Sequence, residues 1–103
     1  NRHAKHLQEA SICIIVCARK GIEEEDEFFE QDCGAAIENI LLQAEEMGYG
    51  ACWCGIYPNK HRMSEVASVL SLDATPIAVI TVGKSDEEPK MRGFYDESLV
   101  TVI

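Results

Sequence analysis

From residue 27 to residue 47, Phe29, Cys33, Ala36, Ile37, Ile40, Ala44 and Met47 recur at three- and four-residue steps. That spacing places them on one face of a helix. Acidic residues from Glu23 to Glu27 precede it and suit the positive end of a helix dipole, and Gly48 is placed to end it. A thinner stripe, Phe28, Ala35 and Leu42, repeats every seven residues among Asp32, Asn39 and Glu46. Either these are scattered surface apolar residues, or the helix has a second partner, which in so short a chain points to another subunit.

Three other runs read as strands. Residues 11–18 (SICIIVCA) and 77–83 (IAVITVG) are apolar at successive positions, the pattern of strands covered on both faces. Residues 51–57 (ACWCGIY) form another, ending at Pro58. Residues 59–70 read as a short helix with Met63, Val66, Ala67 and Leu70 inward. Residues 1–10 read as the end of a helix, Arg19 to Asp26 as a loop, and residues 98–103 (SLVTVI) as a last strand. Lys84 to Gly93 shows no periodicity. Strand, helix, strand, helix, strand implies a sheet with helices packed on it.

Composition narrows the classes. The 103 residues fit a single domain, and 47% apolar with 26% charged residues is globular rather than disordered. Nine basic against eighteen acidic residues give a net charge of -9, which repels nucleic-acid phosphates and anionic lipid alike. No apolar run reaches the roughly 18 residues of a membrane span. No secretory leader opens the chain, so a cytoplasmic protein is expected. The first residue is Asn1, which suggests a piece of a longer protein.

The five cysteines, Cys13, Cys17, Cys33, Cys52 and Cys54, are expected to be reduced, since the number is odd and no export signal is present. Cys13 and Cys17 stand about 13 Å apart on a strand, too far for one zinc ion. Cys52 and Cys54 lie about 6.6 Å apart on one strand face. His3 and His6 share a helix face with nothing nearby to complete a tetrahedron, so no metal site is expected. His61 has no evident Cys or Ser partner and reads as a surface residue. The run Glu23 to Asp26 lacks the glycine and ligand spacing of a calcium loop. No nucleophile elbow, Walker A motif, C-x-x-C or H-E-x-x-H occurs, which favours a bound cofactor or no chemistry.

Two features stand out. Gly48, Gly50 and Gly55 bracket the strand containing Trp53, marking either plain strand ends or backbone that approaches a flat ligand. Lys90 and Arg92 in an extended segment would point the same way about 6–7 Å apart, either solvated or gripping one phosphate.

The segment QDCGAAIENILLQA (31–44) resembles the central helix of the nitroreductase family of FMN-dependent oxidoreductases. MGYGACWCGIYP (47–58) resembles that family's next strand. PIAVITVG (76–83), followed by Pro89, Lys90, Met91 and Arg92, resembles its last core strand and phosphate-proximal segment. The likeness is in order and spans roughly residues 7–100. It implies an α+β, three-layer α/β/α sandwich in an intertwined homodimer, with residues 1–103 forming the C-terminal half of the family domain. FMN would lie between subunits, reduced by NADH or NADPH and reoxidised in ping-pong fashion by a nitroaromatic, a quinone or a similar acceptor. By the same resemblance Trp53, Cys54, Gly55 and Ile56 belong to the flavin site, with the Gly55 and Ile56 backbone near the ring. Lys90 and Arg92 would hold the phosphate, and helix 27–47 and tail 98–103 the dimer contact. The family's usual Arg-Ser-x-Arg cluster and Asn-x-Gln-Pro-Trp segment are absent, and Lys84 stands where an aromatic residue often follows the glycine. A fragment is therefore expected, or else a reduced relative, a dimerisation module without flavin. Dehalogenation or flavin cleavage are further chemistries of the same superfamily.

Overall fold

The computed structural model describes residues 11–71, 73–84, 93 and 95–103. The expected helix at 1–10 and the Lys90–Arg92 segment lie outside these residues. The ordered elements are β1 (Ile12–Arg19), α1 (Ile22–Glu25), α2 (Phe29–Glu46), β2 (Gly50–Gly55), α3 (Lys60–Leu70) and β3 (Ala74–Gly83), followed by a 3-10 turn at Glu97–Leu99. The three strands form one sheet in the order β1-β3-β2, antiparallel at both junctions.

β3 is the central strand, and Pro76 to Thr81 are buried. Its even-numbered residues Ala78 and Ile80, both fully buried, pack with Val16 and Ala18 of β1 against Phe29 and Ile37 of α2. The opposite face carries Val79 and Thr81. There Arg62 of α3 lies close enough to Cys54 to act on its thiol electrostatically. Helices thus lie on both sides of the sheet, an α+β sandwich. Pro76 is accommodated where the β1–β3 register shifts, between Val16 and Cys17.

The long helix follows its pattern except at Ala36, which is exposed. Phe29, Ile37 and Ala44 are buried, and Cys33 and Ile40 half-buried. The helix starts at Phe29 rather than residue 27, because Asp26 turns back to accept a hydrogen bond from the Phe28 N–H at 2.9 Å. The preceding acidic run, expected as loop, contains the single helical turn α1. Met47 is exposed, because it lies past the last helical residue. Gly48 follows with φ +84°, a left-handed conformation that glycine adopts at little cost. In α3, Asn59 caps the first turn by accepting from the Arg62 N–H at 3.0 Å. Leu70, expected inward, is exposed at the last turn, while Met63, Val66 and Ala67 are half-buried.

Three expectations need correction. β1 is not covered on both faces: Ile12, Cys13 and Ile14 are exposed, since β1 is an edge strand and the core gathers around its second half at Val16 and Ala18. β2 stops at Gly55, because the Ile56 and Tyr57 N–H groups both turn onto the Ile77 carbonyl, at 3.0 and 3.1 Å. Residues 98–103 are not a strand: they pass from the 3-10 turn into exposed irregular chain, with no ladder partner among the described residues. None of the described helices is long and apolar enough to cross a membrane.

Ile37 is 0% exposed at the centre of the α2–sheet contact. Ile37→Ala should lower unfolding free energy by about 2–5 kcal/mol. Chemical denaturation followed by far-UV circular dichroism measures it.

Candidate flavin-binding edge

β2 alternates strictly, with Cys52 and Cys54 half-buried and Ala51, Trp53 and Gly55 exposed. The register pairs Trp53 with Ile80 and Gly55 with Ala78, which places both on the α2 face. Trp53 lies against α2 itself: a Cβ on Gly34 would meet the indole Cη2 at 3.7 Å, ordinary contact distance. The indole remains 43% exposed, so it presents a flat apolar surface to solvent. Cys54 points to the opposite face. The structure therefore separates the Cys54 side chain from Trp53, although the sequence lists them as neighbours.

Backbone direction matters as much. Ladder bonds in an antiparallel pair alternate, and Ile56 donates to the Ile77 carbonyl. Cys54 and Cys52 therefore direct their N–H and C=O groups toward β3. Trp53 and Gly55 direct theirs outward along the free edge of β2. The Gly55 carbonyl accepts a hydrogen bond from Arg62 Nη1 at 3.0 Å, as that direction requires. A Cβ built on Gly55 meets nothing within 4 Å, so the space beside this edge is open. Ile56 is buried with its N–H committed, and it fixes the turn. Tyr57 stacks edge-to-face on Phe29, with ring centroids 5.4 Å apart, anchoring the same turn to the start of α2.

Arg62 is the residue that the sequence pattern did not single out. The Asn59 cap fixes the start of its helix, but only folding brings position 62 back to the Gly55 carbonyl. His61 is exposed and ion-paired with Glu65 at 3.1 Å, one helical turn on. Lys90 and Arg92 lie outside the described residues. All five cysteines are free thiols. Among the described residues, no three His, Cys, Asp or Glu side chains converge as metal ligands.

The chain is thus an α+β sandwich with an open glycine edge and a half-exposed indole beside it. Residues 1–84 match the nitroreductase family, and the chain belongs to that family. A Methanothermobacter thermautotrophicus protein assigned by name to the NADH dehydrogenase/NAD(P)H nitroreductases is 36% identical over 92 residues, which are 87% of this chain and 48% of that protein. The chain thus spans about half the length of this relative. A Bacteroides thetaiotaomicron structure of the same name superposes with a TM-score of 0.84 at 36% identity, covering 96% of this chain and 58% of that one. An FMN-dependent nitroreductase from Clostridium difficile superposes with a TM-score of 0.72 at 27% identity, over 91% of this chain and 55% of its own.

Burial pushes the Cys17, Cys33 and Cys54 thiols up from their ordinary value of 9.0. A raised thiol favours the folded state while protonated. Its contribution is complete below the unfolded pKa and is lost as pH rises above it. Denaturation midpoints should hold between pH 7 and about 8 and fall above about 9. In Cys54→Ser the fall should be smaller.

Proposed function

We propose that this chain forms part of an FMN-dependent, NAD(P)H-using oxidoreductase that passes hydride equivalents in ping-pong fashion to a nitroaromatic, a quinone or a similar acceptor. The observation that carries this reading is the β2 edge at Gly55: backbone directed outward, open space where a side chain would stand, and the Trp53 indole on the same face. FMN, when bound, supplies the two-electron hydride chemistry. The protein's part is to hold and orient. The Gly55 N–H is directed toward where the ring margin would lie, Arg62 fixes the carbonyl of the same residue, and Trp53 offers apolar surface that excludes water. Ile56 locks the turn from beneath, and Cys54, paired with Val79, keeps the strand in register so that Gly55 faces outward. Lys90 and Arg92 are assigned to the phosphate. The FMN dependence named for the Clostridium difficile relative and the NAD(P)H named for the Methanothermobacter one support the cofactor pair.

The site is proposed to be completed by a second copy of the chain. The second stripe is solvent-facing, with Phe28, just before α2, 55% exposed and Leu42, within it, 59% exposed. Leu99, Val100, Val102 and Ile103 of the tail are exposed as well. Burying one Leu and one Phe would contribute about 1.5–3 kcal/mol each, and twice that across a twofold axis.

Two measurements test this reading, both on the full chain in its native assembly. Gly55→Val places a branched side chain at the open edge and should weaken FMN binding at least tenfold, read by quenching of flavin fluorescence, with circular dichroism unchanged. Lys90→Ala with Arg92→Ala should do the same by removing phosphate charge. Unchanged affinity in both would remove these residues as the flavin site, and no FMN binding by the unmutated assembly would leave a dimerisation module without flavin. Separately, Leu42→Asp should release monomer or aggregate in light scattering, and a monomer before mutation would remove the second stripe as an interface.

A further inference from the structure

The face of β2 turned away from α2 carries chemistry that the flavin edge does not use. Cys52 and Cys54 are successive residues on that face, both half-buried. Their floor is β3: Cys52 pairs with buried Thr81 and Cys54 with buried Val79. Burial first, then Cys52 and more weakly Cys13, hold the Cys54 thiol above its ordinary value, while Arg62 acts the other way. Cys13 belongs to the same face and to the row of Thr81, but it lies on the far strand. Two strand spacings put it about 9.6 Å from Cys52.

Spacing selects the chemistry. Residues two apart on a strand are about 6.6 Å apart. A disulfide needs sulfurs about 2.05 Å apart and Cβ atoms about 3.5–4.5 Å apart, which this pair does not reach without bending the strand. Two metal–sulfur bonds of about 2.3 Å placed end to end span about 4.6 Å. Each sulfur leaning about 1 Å toward the other supplies that distance. Tetrahedral zinc needs two more ligands, and among the described residues no third His, Cys, Asp or Glu converges there. Charge points the same way. A monovalent cation held by two thiolates leaves one net negative charge, and the Arg62 guanidinium, fixed on the Gly55 carbonyl beside Cys54, stands ready to balance it.

We propose that Cys52 and Cys54 form a two-coordinate site for a soft monovalent cation of the Cu(I) type, balanced by Arg62. Binding replaces two thiol protons with two sulfur–metal bonds, and nothing is oxidised or reduced. Soft thiolates prefer this ion, whereas its charge and two-ligand geometry exclude the harder divalent ions. The thiols stand on the face of the strand away from Trp53, and Arg62 is shared with the proposed flavin edge, since the same guanidinium holds the Gly55 carbonyl.

The test is anaerobic titration of the full chain with Cu(I) held by a chromogenic chelator. One Cu(I) per chain should be withdrawn. Cys52→Ser and Cys54→Ser should each lower the affinity at least 100-fold, Arg62→Met about tenfold, and Cys13→Ser not at all. X-ray absorption of the complex should show two sulfur ligands, a reading that needs no variant to fold. Three sulfur ligands, an equal loss in Cys13→Ser, or undiminished affinity in Cys54→Ser would overturn the assignment.

Discussion

A strand apolar on both faces is stable only when material covers both sides, and the rest of this structure depends on that demand at β3. Ala78 and Ile80 are fully buried against α2, while Val79 and Thr81 are buried on the other face. Satisfying the demand fixes the long helix on one side and places α3 on the other. It also leaves β1 and β2 as edges, because β3 takes the middle of a three-stranded sheet. The thinner covering of β1 follows from its position: an edge strand has one neighbour, and here the core reaches only its second half.

Pairing with β3 then divides β2 into two chemically distinct sides. Trp53 and Gly55 face α2 and the open margin, while Cys52 and Cys54 face away. A shift of one residue would exchange them and bury the glycine edge. The hydrogen bond from Arg62 to the Gly55 carbonyl and the two bonds onto Ile77 hold the end of the strand in place. Packing of Tyr57 on Phe29 ties the following turn to the start of α2, so the candidate site rests on secondary structure more than on loop.

The surface retains unfinished business of two kinds. Apolar residues on α2, on β1 and in the tail remain exposed in a single chain, together with a net charge of -9. Acidic charge keeps such a surface in solution, and apolar stripes give it a place to associate. The surface ion pairs, Arg19 with Glu25 and Lys20 with Asp73, are exposed and contribute little to holding the fold.

Periodicity alone located α2, α3 and all three strands, because burial against a core imposes periods of 3.6 and 2 on any sequence that packs. The capping residues Gly48 and Asn59 mark their ends for equally local reasons. The nitroreductase resemblance was legible in the same residues, in serial order from residue 31 to residue 83. Strand order and the sidedness of β2 were not. They depend on which strand lies in the middle, and a run apolar on both faces reads alike in residues 11–18, where it became an edge, and in 77–83, where it became the centre. The tail reads as a strand because its residues favour one, yet a strand exists only where a partner ladder receives it, and within the described residues none does. Arg62 gains its role in the same way: position 62 is one polar residue of a short helix until the turn after Gly55 brings its guanidinium to that carbonyl.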